Sequence, residues 1–501
     1  MRGGFDEEPG RRRSSQVATV AAFATLIIAP LVPAVLTSGS PAAMMGLPAE
    51  SIAVVLILLT LPWNVARGIA AGAFGAVVVI ASICAALDVG FRATVDRAFS
   101  IVEDWRGLAS AFGVVADATG PGSAVLLSAA VVALLVGAGI AIARAALRVG
   151  RVTRGSGREG LVGAAAVTLT WVLGALVGAQ LWPGMPLAAA ASTDAIASTS
   201  ARTGMSLHEQ QAFERSLRSD DLAPPNGGLL AALEGKDVVI AFLESYGRVA
   251  LEDPSLSIGI DRVLDDGGAQ LAADGFSAHS AFLPSPPCGG VSGLAHATLQ
   301  SGVWVDSQQK YDRLTSTDRM TLSRAFDAAG WRTVAVVPSN HEHWEAGDSF
   351  YGYDAVLDSR NMGYRGPPFS YARIPDQYTW QHFYDRELIG ATGPVMAEID
   401  FVSSHTPWTP LPRLVPWSSL GDGSVYDSQP SAGQSPAEVW SDPRRVQALY
   451  GASVEYTLGA MFSFLHTYDR SDLVLIVLGD HQPSRFVSGG GAGREVPITF
   501  I

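Results

Sequence analysis

The stretch "VLIVLGDHQP", residues 474–483, decides the fold. Five large aliphatic residues, Val474 to Leu478, run straight into Gly479, Asp480, His481 and then a proline. A strand this apolar is most simply buried on both faces, as strands of parallel sheets are. In open α/β sheets ligands bind at the carboxyl edge of the strands. The Asp480-His481 pair at that edge is then either part of a metal-ligand cluster or a polar turn that ends the strand.

The rest of the second half supplies further strand ends. From Lys236 the pattern alternates strands with helical stretches, which predicts a mostly parallel sheet with helices on both faces. "DVVIAFLES" (237–245) reads as a buried strand, "TLSRAFDAAG" (321–330) as a helix and "RTVAVVPSN" as the next strand. "PVMAEIDFVSSH" (394–405) is another strand candidate, and "VEYTLGAMFSFLHTY" is an amphipathic helix leading into the last strand. These strands end in Glu244, in His405 and in Asp480-His481. A single such end is ordinary; three on one sheet edge predict a shared site.

Two carboxylates and an imidazole suit Zn²⁺ or Mn²⁺, with Mg²⁺ also admissible. Such a site leaves a position open for a nucleophile. The candidate is Ser292 in "PPCGGVSGLAHATLQSG", where Gly289 and Gly290 loosen the chain and 293–301 reads as a short helix. At a helix N-terminus Ser292 would face free N–H groups that favour an anion. A serine on the metal would have its pKa lowered and attack phosphorus as an alkoxide. The alternative is an ordinary N-cap serine.

The first half is a different material. Of the 501 residues, 48% are apolar and only 16% charged, and the apolar excess lies in the first 185 residues. Membrane-spanning candidates fall at 17–37, 50–64, 68–88, 122–147 and 160–182, each near the roughly 20 residues that cross the hydrocarbon. The second is the shortest and stops at Pro62-Trp63-Asn64, so five spans are favoured and four remain open, with the second paired to the third as a re-entrant element. Arg11, Arg12 and Arg13 precede the first span, Arg67 follows the second, and Arg144, Arg148, Arg151, Arg154 and Arg158 crowd the link between the fourth and fifth. The segment after the third span mixes Asp88, Asp96, Glu103 and Asp104 with its arginines. Positive charge marks the cytoplasmic side. An odd number of spans then places the region after residue 185 outside the cell, on the plasma membrane. Net charge of −13, with most acids in the second half, argues against nucleic acid as a partner. Two cysteines, Cys84 in a span and Cys288 beyond the spans, offer no plausible disulfide. The expected division is a cytoplasmic basic N-terminus (1–16), a transmembrane domain (17–184), a connector (185–235) and an outer catalytic domain (236–501). Within the connector, "SLHEQQAFERSLRS" suits a short amphipathic helix and "DDLAPPNGG" is a turn-rich end.

The motifs "VVIAFLESYGR", "SGLAHATLQSG", "AFDAAGWRTVAVV", "FYGYDAVLDS", "DFVSSHTPW" and "VLGDHQP" span residues 237–483 in order. Together they resemble the alkaline-phosphatase-like, sulfatase-type superfamily, most closely its membrane-anchored branch with lipoteichoic acid synthases and phosphoethanolamine transferases. The resemblance implies about five N-terminal transmembrane helices and an extracellular α/β domain. It implies one divalent metal held by Glu244, Ser292, Asp480 and His481, with Ser292 the nucleophile where the lipoteichoic branch has threonine. It makes His405 the histidine that meets the transferred phosphate or leaving group, and Trp344 a wall of the head-group pocket. Substrates implied are a phospholipid or a cell-envelope glycan at the bilayer.

Two departures matter. Leu294 and His296 stand where the sulfatase signature needs proline or alanine and then arginine, and "CGGVS" after Cys288 fails equally, which tells against sulfate-ester hydrolysis. The arginine that follows the pocket tryptophan in lipoteichoic synthases is missing, since Glu345 and Ala346 follow Trp344; His341 or His343 would replace it, or are plain loop histidines. The reading is a membrane-anchored phosphotransferase or phosphodiesterase. The alternatives are a sulfatase-like ester hydrolase and a non-catalytic tethered relative. The last residues, "REVPITFI", follow soon after the final motif and suit a fragment or an unusually short member.

Overall fold

The computed structural model describes residues 9–95, 97–105, 120–219, 230–468 and 470–501. Asp96 and the turn-rich 220–228 lie outside the described residues. The chain forms two compact units divided between His208 and Glu209.

In the first unit, helix α1 (Pro9–Ile28) continues through a 3-10 turn into Val32–Ser38, because Pro30 and Pro33 remove two helical donors. Helices α2 (Ala49–Thr60), α3 (Asn64–Val95), α4 (Pro121–Gly155) and α5 (Gly157–Leu176) follow. Among the described residues four stretches are long and apolar enough to cross a membrane: Ser14–Ser38, Asn64–Ala93, Gly122–Gly155 and Gly157–Leu176. The expected second span is α2, and its 12 residues reach only roughly 18 Å. About 30 Å of hydrocarbon is too much for it alone. Proline at 62 stops it, as the sequence suggested.

The short helix nevertheless connects the two ends of this unit. Arg148 of α4 donates to the Ser15 carbonyl at 2.7 Å and to Thr19 Oγ1 at 3.1 Å, both on α1. Arg154 donates to the Leu58 carbonyl at the end of α2, and Arg67 to the Leu61 carbonyl at 2.8 Å. The start of α1, the end of α2, the start of α3 and the end of α4 therefore share one arginine-lined end. At the other end Leu47-Pro48 pairs with Ala188-Ala189, and Ser192 donates to the Pro30 carbonyl at 2.9 Å. Between the ends, Ala22, Leu26, Val54, Leu58, Ala71, Ala146 and Val149 form a buried cluster. Helices α3 and α4 touch at Gly75 and Gly139, where a Cβ on Gly75 would overlap the Gly139 carbonyl. Small residues permit such approach in membranes.

Helix α6 (Ala191–Arg218) runs without a break where a short helix at 206–219 was expected, and the unit boundary falls inside it.

The second unit is a seven-stranded sheet. Its strands are β1 (Asp237–Leu243), β2 (His279–Pro284), β3 (Arg332–Val337), β4 (Ala355–Asp358), β5 (Val395–Phe401), β6 (Leu473–Gly479) and β7 (Glu495–Phe500), in the order β2-β7-β6-β1-β5-β3-β4. The five strands from β6 to β4 are parallel. The two at the other edge are antiparallel. Alternate residues of β1 serve opposite faces. Val239, Ala241 and Leu243 pack with α7 (Pro254–Ala273), α10 (Asp376–Phe383) and α11 (Pro443–Thr467). Val238, Ile240 and Phe242 meet Ala295 of α8 (Gly293–Ser301) and Phe326 of α9 (Leu322–Ala328). Sequence reading missed β2, whose residues are largely exposed and carry no alternation. Its edge position beside β7 explains that: one neighbour and little burial leave no pattern to read.

Gly75→Leu is expected to force α3 from α4 and lower the thermal unfolding midpoint of the detergent-solubilised protein, while Gly72→Leu, with open space around it, leaves the midpoint unchanged.

Candidate metal centre and adjoining cleft

The sheet register sets the site. Gly479 of β6 and Phe401 of β5 both pair with Leu243 of β1, so three strands end at one level. Immediately beyond lie Asp480-His481, Val402-Ser403 and Glu244. The strand ends are cross-tied: Glu244 N–H donates to the Phe401 carbonyl at 3.0 Å, and Ser404 Oγ to the Glu244 carbonyl at 2.6 Å. Gly479 is required here. A Cβ would overlap the Tyr246 carbonyl, which crosses directly over the strand. Ser245, at φ 57°, turns the chain away after Glu244.

Glu244, Asp480 and His481 are buried, and each offers one donor atom within 4.8 Å of the others. His481 Nε2 lies 3.4 Å from Glu244 Oε1 and 3.4 Å from Asp480 Oδ2. The other atoms of these side chains are already committed. Asp480 Oδ1 accepts the N–H groups of Ser245 and His481, both at 2.7 Å. His481 Nδ1 lies 2.8 Å from the Gln482 carbonyl, which places the proton there and leaves Nε2 a free lone pair. Oδ2, Nε2 and the Glu244 carboxylate therefore all face one point.

Ser292 completes the set. Its backbone is helical (φ −49°, ψ −35°), and its side chain makes no cap hydrogen bond. It donates instead to Glu244 Oε2 at 3.1 Å and lies 3.4 Å from His481 Nε2. The ordinary N-cap reading is thus set aside: a capping serine has extended backbone and turns its oxygen onto its own helix.

The electrostatics are those of two carboxylates in a dry space. Burial and the neighbouring Glu244 charge push Asp480 up to about 7. Burial also acts to raise Glu244, but the His481 and His405 imidazoles outweigh it and hold that carboxyl below its ordinary value. For His481 burial disfavours the charged ring, yet Asp480 and Glu244 overcome it and raise the pKa. Two carboxylate oxygens, an imidazole nitrogen and a hydroxyl form a hard-to-borderline donor set that fits a divalent cation.

His405 stands beside this group and is no member of it. Its Nδ1 lies 2.5 Å from the Thr406 carbonyl, and its ring stacks on Tyr371 with centroids 3.5 Å apart and planes at 13°. Tyr371 in turn lines a cleft of about 420 Å³ with Ser339, Asn340, His341, His343, Trp344 and Arg373. The three residues singled out from sequence, His341, His343 and Trp344, do share one cavity. His343 faces Asp348 at 3.3 Å, and Trp344 packs on Tyr351 with centroids 5.2 Å apart. Sequence reasoning missed Tyr371 and Arg373. They lie in "FSYARIP", which carries no motif, and reach the cleft only through the path of the chain between β4 and α10. A second group, buried His296 and Glu398 with half-buried Asp400, was also missed.

No protein-family model and no curated protein matches the chain. Solved structures do. One is the lipoteichoic acid synthase LtaP from Listeria monocytogenes, at 13% identity and TM-score 0.35 over 54% of this chain and 66% of that one. Another is an alkaline phosphatase superfamily protein from Vibrio parahaemolyticus, at 15% and 0.35 over 54% and 60%. The integral membrane phosphoethanolamine transferase EptA from Neisseria meningitidis is similar over 97% of this chain and 88% of its own, at 12% and 0.42. The chain thus spans just under two thirds of the first two.

Metal content of purified variants tests the centre. Asp480→Ala and His481→Ala are each expected to lower affinity for Zn²⁺ or Mn²⁺ by more than the roughly 10–100-fold that even outer partners are worth. His405→Ala should keep the metal. Full occupancy in the first two would exclude a site at these residues.

Proposed function

We propose that this chain is a membrane-anchored, metal-dependent phosphotransferase or phosphodiesterase. Its substrate is a phosphodiester, a lipid head group or envelope polymer, presented at the outer face of the plasma membrane. The observation that carries the reading is the Ser292 hydroxyl, turned away from its own helix and held between Glu244 and His481. A serine with no structural task, aimed at three buried donors, is placed for nucleophilic attack.

Glu244, Ser292, Asp480 and His481 would hold one divalent ion, Mn²⁺ or Zn²⁺. Such an ion lowers the pKa of a hydroxyl and neutralises charge on phosphoryl oxygens. Ser292 Oγ forms the new bond to phosphorus as the bond to the leaving oxygen breaks, and its proton is directed toward Glu244 Oε2. His405 has its Nδ1 engaged with the Thr406 carbonyl, so Nε2 is the atom available to the phosphoryl or leaving oxygen. Attack by water or a glycan hydroxyl on the phosphoserine then regenerates Ser292.

The adjoining cleft would take the head group. Trp344 and Tyr371 give it flat walls, and His341 and His343 line its rim. Arg373 makes no hydrogen bond or ion pair with any described residue and is exposed at the cleft. It stands where a guanidinium is chemically useful, and it compensates for Glu345 and Ala346 after Trp344. A guanidinium binds vicinal hydroxyls or an anion, which favours a phosphoglycerol-type group over an ammonium-bearing one.

Orientation follows from the arginine-lined end of the first unit. Positive charge assigns that end to the cytoplasm. The segment after α5 lies at the opposite end, and the catalytic unit follows it.

Two measurements check this. A topology reporter fused after residue 185 is expected to be active only outside the cell, and one placed at 148–158 only inside; the reverse pattern overturns the outer location. With a labelled phospholipid, Ser292→Ala should abolish both turnover and the trapped phospho-enzyme while metal remains bound. Cys288→Ser, buried outside the donor set, should retain nearly full activity.

A further inference from the structure

His296 lies four residues after Ser292 on α8 and faces β5. Its Nδ1 is 2.8 Å from Glu398 Oε1, and its Nε2 is 3.5 Å from Asp400 Oδ1. Its ring lies against Phe242 with centroids 3.8 Å apart. One turn later Gln300 Nε2 donates to the second Glu398 oxygen, Oε2, at 2.5 Å. Gln300 Oε1 in turn accepts the Ser323 N–H at 3.0 Å, at the start of α9. All three side chains are buried. One carboxylate in the middle of β5 is thus gripped on both oxygens by two residues of the helix that begins at Ser292.

Apolar packing of Leu294, Ala295 and Ala297 also holds that helix. It is nine residues long, a length marginal for a helix on its own. It follows Gly289, Gly290 and Val291 at φ 74°, 150° and 66°, a turn in which β-branched Val291 is held in an unfavourable conformation. Something must hold the helix start against Glu244 and His481.

We infer that Glu398 anchors the nucleophile helix, and that His296 and Gln300 are positioning residues that set Ser292 in line for attack. This rests on the proposed role of Ser292. Burial disfavours a charged His296, but Asp400, Glu398 and more distant Asp480 outweigh it and raise its pKa to about 9. The charged and titratable groups around the ring are therefore Glu398 and Asp400 on β5 and Asp480 after β6, with Tyr353 beside Glu398. His296 is thus clamped between two carboxylates of β5.

A misplacement of about 1 Å costs about 10²-fold in rate. Turnover of bis(p-nitrophenyl) phosphate by the full chain in detergent should therefore show kcat about 10²-fold lower in His296→Ala. KM and metal content should be unchanged. His296→Gln, whose amide can still donate to Glu398, should recover part of the loss. Gln300→Met should lower kcat in the same way and serves if His296→Ala fails to fold. The unfolding midpoints of His296→Gln and Gln300→Met should lie below that of the wild type. Unchanged kcat in both His296→Ala and Gln300→Met overturns the anchor. Metal loss in step with kcat overturns it too, by making His296 a ligand. A wild type that does not turn over the diester counts against the proposed function instead; unchanged unfolding midpoints in His296→Gln and Gln300→Met then still overturn the anchor.

Discussion

One carboxylate oxygen ties the second unit together. Asp480 Oδ1 accepts two backbone N–H groups, one from Ser245 beyond β1 and one from His481 beyond β6. Each charge-assisted bond of this kind is worth about twice a neutral one. Because both donors are backbone, the bonds fix the two chain paths relative to each other. Glu244 is thereby held opposite His481, and Asp480 Oδ2 is left as the only uncommitted oxygen of its side chain. The arrangement requires the Tyr246 carbonyl to cross closely over β6, so position 479 admits only glycine without a shift of backbone. The parallel register does the rest, bringing three strand ends to one level.

The cost of this arrangement is electrostatic. Two carboxylates buried within 4.8 Å of each other repel, and burial disfavours both charges. The protein meets this with local imidazoles: His481 and His405 for Glu244, and His296 beside Asp400 and Glu398. Burying two imidazoles, His481 and His296, with three carboxylates, Glu244, Asp480 and Glu398, is poor economy for stability alone, since apolar residues of like volume would serve at least as well. A fold that carries such a group is organised around chemistry, and perturbed titrations cluster where chemistry is done.

What the sequence disclosed follows from the same physics. A strand buried on both faces writes itself as a continuous aliphatic run, so β1 and β6 were legible, and their polar tips Glu244 and Asp480-His481 were legible with them. Ser292 was legible as a helix start, though its turn toward Glu244 and away from its helix was not, because a capping serine and one turned elsewhere share one sequence signature. Strand β2 was hidden by its edge position. Membrane helices were legible by hydropathy, but the span at 50–64 was drawn too long. Pro62 marked the stop, but not that α2 already ends at Thr60. Tyr371 and Arg373 were out of reach, since a loop residue with no periodicity carries no record of the cavity it enters. The same holds for His296, whose partners Glu398 and Asp400 lie about a hundred positions away.

The donor set also bears on which cation is suited to the centre. Among the described residues the group offers oxygen and imidazole nitrogen, and neither cysteine belongs to it. Soft, thiolate-seeking ions are therefore poorly served. Ca²⁺ prefers six to eight oxygens at longer range, and a buried histidine takes one of the few positions here. Zn²⁺ and Mn²⁺ accept mixed nitrogen and oxygen donors in a four- to six-coordinate shell. The donors that Glu244, Ser292, Asp480 and His481 present therefore suit a divalent ion of the Zn²⁺ or Mn²⁺ kind.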